Sequence, residues 1–102
     1  MTPFVLNKGD GSQVALQGDL TLATAAAAHA AGVGAISAAA PGVLRIECSG
    51  LADSDSAGLA VLIEWCAVAA RRGLRLQFVA LPDRLRRLAH ISEVDALLAT
   101  AA

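Results

Sequence analysis

Residues 51–73, LADSDSAGLAVLIEWCAVAARRG, decide how the chain is read. A short acidic, hydroxylated turn opens directly into the longest strongly apolar amphipathic run in the sequence. Just before it, residues 43–48, VLRIEC, alternate apolar and polar side chains with few turn formers, which predicts a β-strand. The local order is strand, tight loop, helix. Asp53, Ser54, Asp55 and Ser56 carry short polar side chains that accept hydrogen bonds from the free amides of a helix's first turn, so the helix is expected to start at about Ser56. Leu59, Leu62, Ile63, Cys66 and Ala70 recur at steps of three and four and predict its core-facing side. Arg71, Arg72 and Gly73 suit its end, where cations complement the helix dipole and glycine takes a left-handed conformation.

Ser56 has two readings. In one, Ser56 or Asp55 is the N-cap, worth about 1 kcal/mol. In the other, Ser56 is a switch, because a helix N-terminus tolerates a phosphate that adds roughly two negative charges to the surface. Asp53 and Asp55 would repel a permanently bound anion and could instead recruit a basic partner or Mg²⁺. Farther along, Val61, Trp65 and Val68 lie roughly 180 to 240 degrees from Leu59 at 100 degrees per residue, away from the expected core stripe. Either Trp65 folds sideways against a neighbouring helix, or it anchors an interface beside Ser56 with Glu64, Arg71 and Arg72 as a polar rim and His29 opposite.

The 102 residues suit one domain with a single core, spanning 1–102. Apolar residues are 56% and charged residues 17%, a balance that leaves some surface apolar and favours a partner-covered face. A net charge of -1 supplies no field for nucleic acid or acidic lipid, so nucleic-acid binding is not expected. Cys48 and Cys66 match no zinc or redox spacing and are expected as buried free thiols. No secretory signal pattern opens the chain, which implies the cytoplasm. Residues 20–44 lack formal charge and are long enough to span a bilayer, but their Ala, Gly, Thr, Ser and His content and Pro41 argue against membrane insertion.

Residues 4–6 and 14–17 are short β-prone runs around NKGDGS, an expected hairpin. An alanine-rich helix is expected from Thr21 to about Ala40, softened by Gly32 and Gly34 and stopped by Pro41 and Gly42. Residues 75–81 predict the next strand. Pro82 suits the first position of a helix with Leu85, Leu88 and Ala89 inward and Arg84 and Arg87 outward, and residues 94–98 predict a last short helix. Alternation of strands and helices after a hairpin implies right-handed crossovers and an α/β fold with a mixed, largely parallel sheet covered by helices on at least one face.

Read together, DSAGLAVLIEW at residues 55–65, the Gly18, Asp19, Leu20 stretch and the tail RGLRLQFVALPDRLRRLAHISEVDALL resemble the STAS domains of anti-sigma-factor antagonists and sulfate transporters. Within that group the chain is most similar to the B components of the bacterial maintenance-of-lipid-asymmetry (Mla) systems. The resemblance implies a non-enzymatic accessory subunit bound to an MlaF-like ABC transporter ATPase at the inner membrane, supporting phospholipid transport and binding no cofactor. By it, Ser56 falls on the Ser or Thr that antagonists have phosphorylated by an anti-sigma kinase and that lipid-system proteins present to their transporter. Ala57, where antagonists commonly have a second Ser, leans to the lipid branch. The partner-binding set is then Asp55, Ser56, Ala57, Gly58, Val61, Trp65 and His29, with Ser56 the candidate phosphoacceptor in the antagonist alternative.

A third reading, a metal-dependent phosphotransfer or hydrolytic enzyme using Asp53 or Asp55, has no base or lysine to support it, and no phosphate-binding loop or nucleophile set is present. His29 and His90 are isolated and read as packed or interface residues. Asp19, Asp53 and Asp55 could gather a cation only if the second turn approaches the acidic loop.

Overall fold

The computed structural model describes residues 1–98. Its elements run β1 (Val5–Lys8), β2 (Gln13–Leu20), α1 (Ala25–Ala38), β3 (Gly42–Ser54), α2 (Ser56–Arg71), β4 (Leu74–Val79) and α3 (Asp83–Ile91). The four strands form one sheet in the order β1-β2-β3-β4, with β1 antiparallel to β2 and the other pairs parallel. The expected α/β architecture is the observed one. Because β2, β3 and β4 are adjacent and successive, two right-handed crossovers carry α1 and α2 onto the same face. Strand β3 shows the result: Leu44, Ile46 and Cys48 are buried, whereas Val43, Arg45 and Ser49 on the opposite face are exposed.

Several boundaries differ from the sequence reading: β4 is Leu74–Val79 rather than 75–81, and Pro82 is the residue before α3 rather than its first, while three larger differences have a local reason. Helix α1 begins at Ala25 rather than Thr21, because the Thr24 hydroxyl accepts the Thr21 amide at 3.0 Å and donates to the Asp19 carbonyl at 2.8 Å, closing a turn first. Strand β3 continues through Asp53 and Ser54, so the expected tight loop shrinks to Asp55. Its C-terminal part pairs with β2 as far as Leu20 and Ser54 across two register shifts, where Gly50 passes so close to the Leu16 carbonyl that a side chain would collide. Residues 94–98 form turns closed by amide bonds three residues back, Leu97 to Val94 and Leu98 to Asp95, in place of the expected helix.

The largest correction concerns α2. Leu59 and Leu62 are buried as expected, but Ile63 and Cys66 are half-buried and Ala70 is exposed, while Val61, Trp65 and Ala69 are buried. Helix α2 lies between α1 and α3 above the sheet, so its apolar circumference exceeds one stripe. Trp65, only 1% exposed, packs under α1 at Gly32, where any Cβ would overlap the indole, and meets Phe4 at a ring-centroid distance of 6.4 Å. The indole Nε1 has no hydrogen-bond partner there. Of the two readings of Trp65, packing against a neighbouring helix is the one observed; exposure as an interface anchor is not.

Candidate functional site

The C-terminal end of β3 and the first turn of α2 form the tip of the domain at one edge of the sheet. Asp55, not Ser56, caps the helix: its Oδ1 accepts the Gly58 amide at 3.0 Å, and its Oδ2 accepts the Leu22 amide from the turn before α1 at 3.1 Å. One carboxylate therefore ties the starts of two helices together. Partial burial alone would raise its pKa, but the amide bonds from Gly58, Leu22 and Ala57 and the charge of Arg84 outweigh it and hold the carboxyl below its ordinary value. Gly58 is buried because the helix passes directly over the Leu20 carbonyl, a contact that leaves no room for a side chain. This is a packing requirement.

Asp19 performs a similar task one strand away. Its nearly buried carboxylate accepts the Thr2 amide at 3.0 Å and the Asp53 amide at 3.2 Å, fixing the N-terminal segment and the end of β3 to β2. The second turn thus does approach the acidic loop, as a cation site would require. The Asp19 and Asp55 oxygens that could serve a cation are instead turned to backbone amides. Among the described residues no group of three or more His, Cys, Asp or Glu is placed to hold a metal ion.

With Asp55 as cap, Ser56 becomes the first helical residue, exposed, its hydroxyl without a hydrogen bond to any described residue. A shallow apolar depression lies beside it between α1 and α2, lined by Ala25, His29, Ala57, Ala60, Val61 and Glu64 among others. The structure therefore brings together Ser56, Ala57, Val61 and His29 from the expected set. Trp65 and Gly58 lie beneath that surface. Arg71 and Arg72, expected as a rim, are at the far end of α2, about 22 Å from Ser56 at 1.5 Å per residue, and Arg72 donates to the Ser37 carbonyl instead. His90 is exposed and pairs with Asp95 at 3.1 Å.

Sequence reasoning missed Leu22 and Arg84. Leu22 is 77% exposed and is held beside the tip by its own amide bond to Asp55, and Arg84 enters through the parallel topology, which starts α3 at the same edge of the sheet as α2. An apolar residue between Thr21 and Thr24 was the only local sign of the first. Cys48 and Cys66 are free thiols. Burial, aided by the Glu47 charge, pushes the buried Cys48 up to about 12, and burial pushes the half-buried Cys66 up to about 11, so both are protonated at neutral pH.

A mixed sheet that opens on a hairpin and continues through parallel strands with helices packed on it is the STAS fold. The chain belongs to the family described as Mlab, STAS domain, whose model matches residues 5–99. Among curated proteins, none matches the sequence. Solved structures share the fold. An anti-sigma factor antagonist from Mycobacterium paratuberculosis is 23% identical with a TM-score of 0.75, over 96% of this chain and 83% of that one. The Bacillus cell fate determinant SpoIIAA in its phosphorylated form is 17% identical with a TM-score of 0.67, over 97% and 91% of the two chains. The STAS domain of a SulP transporter from Vibrio cholerae is 16% identical with a TM-score of 0.61, over 89% and 71%. No helix among the described residues is long and apolar enough to cross a membrane.

Proposed function

We propose that this chain is a non-enzymatic accessory subunit that docks on the cytoplasmic ATPase of an inner-membrane ABC transporter and supports phospholipid transport maintaining outer-membrane lipid asymmetry. The carrying observation is the division of labour at the α2 tip: Asp55 does the capping, so the exposed Ser56 hydroxyl is left unused by the fold beside the Ala57 and His29 depression. A group the fold does not need, presented on a rigid helix end, is suited to a partner. The family description, Mlab, STAS domain, and Ala57 at the second position favour the transporter branch. The docking surface consists of Asp55, Ser56, Ala57 and His29 over a floor that includes Val61; Trp65 and Gly58 support it from below.

The alternative is an anti-sigma-factor antagonist switched by phosphorylation of Ser56. It is favoured by the same free hydroxyl, which a kinase could reach without unfolding α2, and by the antagonists that share the fold. Co-purification separates the two. The chain is expected to co-elute with a cognate ABC ATPase, to show no ATP hydrolysis alone, and to remain unphosphorylated when mixed with an anti-sigma kinase and ATP. Robust hydrolysis by the isolated chain would remove the binding-module reading, and stoichiometric phosphorylation of Ser56 without ATPase binding would transfer the chain to the antagonist branch.

A further inference from the structure

Helix α3 turns Leu85 and Ala89 into the core and leaves Arg84, Arg86, Arg87, His90 and Ile91 exposed. Two of these are already engaged: Arg86 pairs with Asp83 one turn earlier, and His90 pairs with Asp95. Arg84 and Arg87 form no ion pair among the described residues. At 100 degrees per residue, Arg84, Arg87 and Ile91 fall within about 60 degrees of one another and make a single outward ridge. Ile91 is 77% exposed at its end, next to a shallow depression bounded by Arg86, Arg87 and His90. Ile91 is left bare one turn after the unpaired Arg87 and two turns after Arg84, an arrangement the core does not require.

We infer that this α3 ridge, Arg84, Arg87 and Ile91, is a second contact for the protein partner and takes an acidic segment carrying an apolar side chain for Ile91. The inference rests on the docking reading, because α3 starts at the same edge of the sheet as α2, with Arg84 in its first turn. Arg84 starts the ridge close enough to Asp55 for its charge to act on that carboxylate. Charge complementarity selects the occupant. Planar guanidinium groups pair two-pronged with carboxylates and are weakly hydrated, so they favour acidic side chains at an interface. A bilayer surface fits less well, since polybasic lipid-binding segments use about four to eight Lys and Arg, whereas α3 carries three Arg, one of them paired with Asp83.

The experiment measures binding of a cognate ABC ATPase to wild type, Arg87→Glu, Ile91→Ser and Ser56→Glu at low and high salt, alongside melting of each variant. Arg87 and Ile91 are exposed, so both variants are expected to melt as wild type does. Arg87→Glu should weaken binding by about tenfold or more and reduce its salt dependence, Ile91→Ser should weaken it severalfold, and Arg87→Lys should restore part of the loss. Wild-type affinity in Arg87→Glu and Ile91→Ser, with Ser56→Glu weakened, would overturn the α3 contact and leave the docking reading standing. No ATPase binding by wild type would overturn both. Wild-type binding to vesicles of phosphatidylcholine and phosphatidylglycerol that Arg87→Glu abolishes would overturn the protein occupant in favour of a membrane surface.

Discussion

Trp65 and Ser56 stand about two and a half turns apart on α2, and the fold uses them in opposite ways. Trp65 is closed in by Gly32 of α1 and by Phe4, so closely that its Nε1 is left without a partner. Ser56 is open, and the capping role it could have filled belongs to Asp55. The contrast separates two kinds of prominence in a sequence. An aromatic residue off the main stripe is prominent because a second helix needs it, and a serine beside two aspartates is prominent because one of its neighbours leaves it free. Packing and presentation therefore lie at different points along one helix, and each can be altered without the other.

The largest break in that comparison comes from Trp65→Ala, expected to cost about 3–5 kcal/mol by leaving a cavity between α1 and α2, a large share of the ~5–15 kcal/mol typical of a domain. Urea unfolding measures it. Trp65→Phe should cost much less, because it keeps most of the ring volume and removes a buried N–H that has no acceptor. A loss below about 1 kcal/mol for Trp65→Ala would mean that the indole is not the wedge between the helices.

Asp55→Ala is a smaller change, expected to cost about 1–2 kcal/mol through loss of the cap on α2 and of the Leu22 bond. The pH dependence sharpens it. The folded-state pKa of Asp55 is lowered from 3.8, so its contribution is present at pH values above the unfolded value and is lost as pH falls through the folded one. The stability gap between wild type and Asp55→Ala should be widest near neutrality and shrink below about pH 4, where the cap carboxylate takes up a proton. A gap that does not change with pH would show that the charge is not what Asp55 supplies. The smallest effect is Ser56→Ala, expected within about 0.5 kcal/mol of wild type, since the hydroxyl supports nothing in the fold.

Much of this arrangement is legible in the sequence. Alternation in VLRIEC, the Asp and Ser cluster and the three-and-four spacing from Leu59 lead to β3, the tip and α2, and Gly73 with φ 69 ends the helix as its type suggests. The orientation of Trp65 was not legible, because helical periodicity finds one apolar stripe and α2 is covered on three sides. The missing information was tertiary: Gly32, read as a weakness in α1, is the gap that admits the indole. The cap was ambiguous for a different reason, since Asp55 and Ser56 are both good caps and only the Leu22 amide, 33 residues earlier, selects the carboxylate. Arg84 was invisible as a neighbour of the tip until strand order placed the starts of α2 and α3 on one edge.

The claim that Ser56 presents α2 to a partner is tested most directly by the affinity of Ser56→Glu for a cognate ABC ATPase, measured on protein whose melting matches wild type. A negative charge in the first turn is compatible with the helix dipole, so the fold should be unharmed. The account predicts binding weakened by more than about tenfold, or 1.4 kcal/mol. Affinity equal to wild type in the folded variant would contradict it and place the docking surface away from the α2 tip.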